Sequence, residues 1–230
     1  MTPGTLQRGL NRERIKSGDS EADRKRLGLP LSIEKATEVL ASGKVADVDL
    51  GKVNGDYFAN TAALGLSAGV ARSMPHLLKR YLGKAGYLVI GAKRFLAHRP
   101  FRFRLVQDDR VVELLALEVL IAKGRYHGGV LVAPGAGLET RDLVVQVVKG
   151  KTKWNLVKAW IHLGLLSFET LPHVAVILTK DAVIDTTPEQ YVSIDGEVVT
   201  QTPVRISVAY EALRLIVPQE FEDSDDIECD

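Results

Sequence analysis

A change to two-residue periodicity in the middle of the chain does most to limit how the chain can fold. Residues 101–106 read FRFRLV, so that apolar and basic side chains alternate as in an antiparallel strand with one face in water. Residues 111–122 follow as an apolar run rich in strand-forming residues. Further strand-like runs cover 130–133, 143–148, 174–178, 204–210 and 213–217. Because so many short strands must pair to bury one face, we predict a β-rich α+β fold, an antiparallel β-sandwich with a few flanking helices.

Helix and turn signals lie at the edges of these strands. Ser32 can cap a helix that ends at Gly43, and the Asn-Gly pair at 54–55 favours a hairpin turn soon afterwards. Apolar residues one turn apart indicate a helix over 85–97. Residues 151–166 carry both tryptophans with apolar residues at helical spacing. Such a stripe is usually buried in a core, and a lipid-facing role is the alternative.

The composition excludes several classes of protein. Hydrophobic residues make up 46% of the 230 residues and charged residues 26%, as in a soluble globular protein. A net charge of +1 offers no general attraction to nucleic acid, and no apolar run is long enough to span a bilayer. With one cysteine, Cys229, and no apolar N-terminal signal, we expect a cytoplasmic location in which any membrane contact is peripheral.

The charge pattern divides the chain into three parts. Residues 1–26 are polar and rich in basic side chains, which is typical of a disordered arm, and residues 219–230 form an acidic tail. We predict that residues 27–218 form one folded domain, since no internal repeat and no linker between two full domains is visible.

Two carboxylates flank a glycine in the segment YVSIDGE, residues 191–197. Asp195 and Glu197 follow an apolar strand, and Gly196 permits a tight turn that lets both acids face one cleft. Such a pair could take a proton from an alcohol or help to hold a metal ion. The alternative is an ordinary hairpin turn, because Asp-Gly is a strong short hairpin signal.

Glycine-rich segments supply further candidate contacts. The strand over 111–122 ends in KGRYHGG, where Gly128 and Gly129 would let a loop wrap closely around a ligand and Tyr126 could touch it. A simple glycine-rich hairpin is the alternative. Asn60 precedes another stretch of small residues, which allows either the close approach of a ligand or tight core packing.

Several common catalytic signatures do not occur in the sequence. The five histidines are not paired at metal-ligand spacing, and neither a G-x-S-x-G elbow, a P-loop nor a dinucleotide glycine fingerprint is present. We therefore predict no metal-ligand set and no cradle for nucleotide phosphates from these patterns.

Four segments, in order, resemble the C-terminal half of the bacterial diacylglycerol kinase-like lipid kinases. They are residues 27–70, residues 121–138 (IAKGRYHGGVLVAPGAGL), the SIDGE turn at 193–197, and TPVRISVAYEALRLIVP at 202–218. Each motif is soft, but their order and spacing together are fairly specific. The resemblance implies a β-sandwich like the C-terminal domain of the diacylglycerol kinase and NAD kinase superfamily.

The resemblance also implies a reaction, namely transfer of the γ-phosphate of ATP to a lipid hydroxyl. ATP and Mg²⁺ would be the cofactors and a diacylglycerol-like alcohol the substrate. In that family a G-G-D-G-T nucleotide loop belongs to an N-terminal domain, most of which is missing here. The family segment just before the first helix usually reads P-x-G-T-x-N-D-x-A-R, and residues 2–5, Thr-Pro-Gly-Thr, are only a faint echo of it. The implied partners are therefore a nucleotide-binding chain or a second copy of this chain, and no nucleic acid.

Individual roles follow from the same resemblance. Glu197 corresponds to the general base for the lipid alcohol, and Asp195 to its supporting acid. An alcohol is a poor nucleophile until a positioned base shares its proton, so this assignment is chemically sensible. Asn60 matches an asparagine that lines the cleft. The candidate substrate-binding residues are Asn60, Tyr126, Gly128 and Gly129.

The sequence departs from the family pattern in two places. An acidic A-x-x-D-D-G-x-L-D segment, which holds a structural magnesium ion in the family, corresponds to residues 136–144. There Thr140 and Val144 replace acids and Arg141 replaces glycine, so we expect this metal site to be weakened or lost. Lys123 stands where the family usually has asparagine.

Two functions remain open at this point. The first is the lipid-binding and catalytic-base half of an ATP-dependent lipid kinase that phosphorylates a lipid hydroxyl. The alternative is a non-catalytic lipid-binding or regulatory module descended from such a kinase.

Overall fold

A computed structural model describes residues 32–73, 89–123, 126–127, 130–131, 142–165 and 173–219. Its helices are α1 (Ile33–Ser42), α2 (Leu66–Ser73), α3 (89–97) and α4 (Trp154–Leu165). Its strands are β1 (Lys44–Val53), β2 (Asp56–Phe58), β3 (Thr61–Gly65), β4 (Phe101–Gln107), β5 (Arg110–Lys123), β6 (Tyr126–His127), β7 (Val130–Leu131), β8 (Leu143–Lys149), β9 (Val174–Thr179), β10 (Asp181–Thr187), β11 (Tyr191–Ile194), β12 (Glu197–Gln201) and β13 (Val204–Val217).

One curled antiparallel sheet of 11 strands organises the chain. Its main path is β12-β11-β3-β5-β4-β10-β13-β1-β2, and β8 pairs with both β5 and β9. The two 14-residue strands, β5 and β13, each pair with more than one neighbour along their length, which lets the sheet curl over one core. Phe58, Phe103, Ile121, Ile184 and Ile206 belong to that core. The predicted β-rich sandwich with flanking helices is confirmed.

The alternating segment behaves as predicted. In β4, Phe101, Phe103 and Leu105 are buried, while Arg102 and Arg104 are exposed. The apolar run that follows is the single strand β5, which forms a hairpin with β4 through Gln107 and Arg110. Burial of alternate side chains therefore fixes the register of this pair.

The first helix and the first hairpin also form where the sequence predicts them. The N–H of Ala36 donates to the carbonyl of Ser32 at 3.0 Å, and the N–H of Gly43 donates to Val39 at 2.7 Å. The turn at 54–55 joins β1 to β2. The helix predicted over 85–97 is confirmed over 89–97, and its first residues lie outside the described part of the chain.

The last strand and β10 differ from the prediction. The two runs at 204–210 and 213–217 form one strand, β13, because Glu211 adopts a left-handed backbone (φ 48°) opposite an irregularity in β1 and the pairing continues past it. Strand β10 was not predicted. Its alternation is real, with Ala182, Ile184 and Thr186 buried, but aspartates and threonines make it weakly apolar.

The expectation that the tryptophan stripe is buried is wrong for Trp154, whose exposed fraction is 69%. Among the described side chains of α4, Leu156 and Ala159 face the core; they lie three positions apart and therefore share a helix face that does not include Trp154. The side chain of Trp160 lies outside the described residues.

The predicted arm at 1–26 lies outside the described residues, as does the acidic tail from 220 onward, so the limits of the 27–218 domain stay a prediction. Of the helices that the structure describes, none has the length and apolarity needed to cross a bilayer.

Candidate active site

The SIDGE segment forms the tight hairpin between β11 and β12. Asp195 and Gly196 both have left-handed backbones, with φ values of 47° and 86°, and Ile194 pairs with Glu197 across the turn. A two-residue turn with positive φ at both positions matches the twist of the two strands, and Asp-Gly is a preferred pair for it. The hairpin reading of the segment is therefore confirmed.

Asp195 folds back onto the connection between β2 and β3. Its Oδ1 accepts the backbone N–H groups of Thr61 at 3.0 Å and Asn60 at 3.3 Å, and its Oδ2 accepts that of Ala59 at 3.3 Å. Its own N–H donates to the carbonyl of Thr61 at 2.9 Å. Four hydrogen bonds thus fix the hairpin tip against the backbone beside Asn60, which lies 135 positions earlier in the sequence.

Glu197 has a different environment. It is the first residue of β12 and its side chain is exposed, whereas Asp195 is half-buried. The two acids, two residues apart, thus differ in accessibility. One is held by backbone amides and the other reaches solvent.

Helix α2 packs beside this hairpin and is held by a buried glutamate. The helix lies against β11 and β12, and the guanidinium of Arg72 stacks 3.9 Å from the centre of the Tyr191 ring. At its start, Glu118 of β5 accepts the N–H of Leu66 at 2.7 Å and that of Ser67 at 3.1 and 3.2 Å. These are two of the N–H groups that a helix leaves without internal partners.

Glu118 is fully buried, and burial raises the pKa of its carboxyl to about 7 against the opposing hydrogen bonds from Ser67 and Leu66. Gly65 makes the contact possible. It has φ of 102°, and a Cβ at this position would lie 2.7 Å from the Leu117 carbonyl and 3.1 Å from Glu118 Oε2. The sequence analysis did not identify Glu118. The available signal was an acid in the most apolar part of the run 111–122, which contains Glu113 and Glu118.

A buried ion pair lies where β5 ends. The ammonium of Lys123 is 3.4 Å from Asp49 Oδ2, and the side chains are 6% and 11% exposed. Asp49 Oδ1 also accepts the N–H of Glu211 at 2.8 Å. Because Thr61 pairs with Ala122, Lys123 lies at the same end of the sheet as the Asp195 contacts. Lys123 was noted only as a departure from asparagine, and its partner was not predicted.

The other predicted site residues are only partly described. Tyr126 lies in the short strand β6, which pairs with β7, as the glycine-rich hairpin alternative predicts. Its side chain, Gly128 and Gly129 lie outside the described residues. The segment 136–144 is described only from Asp142 onward. Within the described ranges, no three His, Cys, Asp or Glu side chains come together to form a group that could hold a metal ion.

Comparison with known proteins assigns this curled sheet to the class of lipid-kinase β-sandwich domains. The family described as "YegS C-terminal NAD kinase beta sandwich-like domain" matches residues 60–217, and the chain belongs to it. The match spans every described contact of Asp195 with the 60–61 backbone and the Glu118 contact with α2. The resemblance to the bacterial diacylglycerol kinase-like family is therefore confirmed.

Relatives and solved structures agree with this assignment. A protein of Staphylococcus carnosus (strain TM300) named "Putative lipid kinase" is 25% identical over 195 residues, or 84% of this chain and 63% of that protein. A protein of the same description from Staphylococcus aureus (strain JH9) is 26% identical over 208 residues, with 84% and 64% covered. The chain therefore spans less than two thirds of the length of these curated relatives.

The structural neighbours point the same way. The crystal structure of "a putative diacylglycerol kinase from Bacillus anthracis str. Sterne" superposes with a TM-score of 0.66 at 25% identity, covering 90% of this chain and 69% of that one. A second diacylglycerol kinase structure from the same organism has a TM-score of 0.61 at 22% identity, which supports the fold.

Proposed function

We propose that this chain is the lipid-binding and catalytic-base half of an ATP-dependent lipid kinase of the diacylglycerol kinase type. The observation that carries the proposal is the set of three N–H bonds from residues 59–61 to Asp195, which holds the SIDGE hairpin beside Asn60. By resemblance to the family, SIDGE carries the general base and Asn60 lines the substrate cleft.

The difference in environment between the two acids supports a division of roles. Both Asp195 oxygens accept backbone N–H groups, so this residue positions the hairpin. Glu197 is exposed at the start of β12 and can approach a lipid hydroxyl. A carboxylate that accepts the hydroxyl proton as the phosphoryl group arrives makes the alcohol a better nucleophile. Glu197 is thus the proposed general base.

The phosphoryl donor is ATP, which supplies the group to be transferred when it is bound with Mg²⁺. The described residues do not fit a metal site, so no step on this chain is assigned to a metal. The work of this chain is to bind and orient the alcohol and to move its proton. Because the chain covers 63% of a relative, we expect the nucleotide-binding half to come from a partner chain or another segment.

Transfer of labelled phosphate to a short-chain diacylglycerol in detergent micelles tests the proposal. The assay uses the purified chain, alone and with the uncovered part of the Staphylococcus carnosus relative supplied in trans. We expect incorporation that Glu197→Gln abolishes. Glu189→Gln is the matched control, because Glu189 is also an exposed glutamate but lies at the opposite end of β11.

Two outcomes would decide against this function. If the wild-type chain binds the micelles but never incorporates phosphate, with or without the added part, the non-catalytic lipid-binding module is the correct reading. If Glu197→Gln keeps full incorporation, the base is another residue and the assignment of Glu197 is wrong.

A further inference from the structure

Two helices on the outside of the sheet expose large apolar side chains. In α3, Val89 is 68% exposed and Leu96 is 74% exposed, and at the start of α4, Trp154 is 69% exposed. Single exposed apolar residues are normal on a protein surface, whereas a group of them marks an interaction site. These three residues would mark such a site if they form one surface.

The contacts between the helices place them side by side. Phe95 of α3 packs into the same cluster as Leu156 and Ala159 of α4, over the outer face of the sheet. Lys153 Nζ donates to the carbonyl of Leu96 and lies 5.9 Å from the centre of the Phe95 ring. Because Lys153 directly precedes Trp154, the end of α3 and the start of α4 are adjacent, and Leu96 and Trp154 lie on neighbouring turns.

The charge around these residues has one sign. The segments 89–100 and 149–165 contain lysines and arginines but no aspartate or glutamate. Lys93 lies one turn from both Val89 and Leu96, and Lys158 lies one turn from Trp154. Lys93 and Lys158 are both exposed. Since the whole chain has a net charge of only +1, these helices concentrate positive charge locally.

We propose that the surface formed by Val89, Lys93, Leu96, Trp154 and Lys158, here called the α3–α4 patch, docks the protein on an anionic lipid bilayer. Membrane-binding surfaces combine basic residues with tryptophan and leucine, and lysines on the same face as these can extend their ammonium groups to the headgroups while their methylene stems lie along apolar surface. Anionic headgroups complement the lysines, while the acyl region accepts leucine, and tryptophan suits the boundary between them. The inference rests on the proposed function in one respect, since a lipid kinase must reach an alcohol that resides in a membrane.

Sedimentation with vesicles tests this docking. The vesicles are phosphatidylcholine alone or with increasing proportions of phosphatidylglycerol. We expect binding that requires phosphatidylglycerol, weakens as salt is added, and shifts the tryptophan emission to shorter wavelength as Trp154 leaves water. Binding to neither type of vesicle would overturn the proposal, as would equal binding to both.

Exposed residues allow variants that leave the core intact. We expect Leu96→Ser to weaken vesicle binding about tenfold. We expect Lys93→Gln with Lys158→Gln to weaken it about thirtyfold, at about 1 kcal/mol for each cation near an anionic surface. Leu40→Ser is the matched control, because Leu40 is also helical and 67% exposed. If Leu40→Ser weakens binding as much as Leu96→Ser does, the α3–α4 patch is not the docking surface.

Failure of this inference and failure of the proposed function give different results. Patch variants should lose vesicle binding but keep phosphate transfer to a short-chain alcohol in detergent micelles. Glu197→Gln should bind vesicles as the wild type does and lose transfer in micelles. Transfer without vesicle binding would overturn only the docking, and vesicle binding without transfer would overturn only the kinase proposal.

Discussion

Replacing Glu118 with glutamine should remove a pH dependence of stability that arises from this one carboxyl. Glu118 is fully buried and accepts the N–H groups of Leu66 and Ser67 at the start of α2. Desolvation by burial is the largest influence on its pKa, raising it from the usual 4.5 to about 7, while the hydrogen bonds act in the opposite direction.

The raised pKa determines the sign of the effect. Since the folded protein binds this proton more tightly than the unfolded chain does, the stability from protonated Glu118 is full below about pH 4.5 and is lost as the pH rises through about 7. At about 1.4 kcal/mol for each tenfold change in proton affinity, the difference between 4.5 and 7 amounts to about 3 kcal/mol of unfolding free energy.

Glu118→Gln keeps the shape of the side chain but cannot ionise. Its carbonyl can still accept the N–H of Leu66, while its amide NH₂ would face the N–H of Ser67 and lose about 1 kcal/mol. We therefore expect the variant to be less stable than the wild type at pH 4.5 and more stable by about 2 kcal/mol at pH 8. The two stability curves should cross between these pH values.

Urea unfolding of both proteins over this pH range measures the difference directly. Burial lowers the pKa of the nearby His98, so its contribution to the free energy of unfolding is lost as the pH falls, opposite in sign to that of Glu118. His98 is present in both proteins, so this contribution cancels in the difference between them. Glu113→Gln, at an exposed position on the same strand, should show no such crossing. A difference between Glu118→Gln and wild type that does not change with pH would refute the desolvation argument.

Three further changes test the other contacts, each by the urea midpoint. Asp195→Asn tolerates the left-handed backbone but turns an amide toward the 59–61 N–H groups, so we expect a loss of about 1–2 kcal/mol. Gly65→Ala should lower the free energy of unfolding by about 2–3 kcal/mol, because φ is 102° and the added Cβ would clash with the carbonyl of residue 117. Gly69→Ala should raise the free energy of unfolding by about 1 kcal/mol, because Gly69 lies within a helix and nothing lies near its added Cβ. Lys123→Met should cost about 3 kcal/mol by leaving Asp49 buried without its cation, and a smaller loss when Asp49 is also replaced by leucine would show that the two charges are coupled.

Local patterns in the sequence were sufficient to predict most of the sheet. Alternation in 101–106 predicted β4, and the Asn-Gly and Asp-Gly pairs predicted two hairpins, because these signals depend on residues a few positions apart. The break predicted within 204–217 does not occur, since pairing with β1 outweighs the polar residues there. Trp154 was misassigned because helical spacing alone does not tell which face of a helix meets the sheet.

The buried contacts of Glu118 and Lys123 could not be predicted in the same way. Glu118 accepts hydrogen bonds from a helix that begins 52 positions earlier. Lys123 forms an ion pair with Asp49 because β1 packs against the end of β5. Each depends on how the sheet curls, which no local window of sequence contains. An acid within an apolar strand is still a usable signal, because a carboxyl carried to the core face must find hydrogen-bond donors there.

The arrangement of Asp195 and Glu197 gives a physical basis for the division of roles that the resemblance implies. A motif of two acids around a glycine is compatible with two bases, a metal site or a plain turn. The left-handed φ values at 195 and 196 turn Asp195 back toward the 59–61 amides, and the antiparallel register places Glu197 at the start of the next strand. Three N–H groups bind the oxygens of the half-buried Asp195, whereas the side chain of Glu197 is exposed. The hairpin geometry of SIDGE therefore also fixes the segment that carries the proposed base against the backbone of residues 59–61.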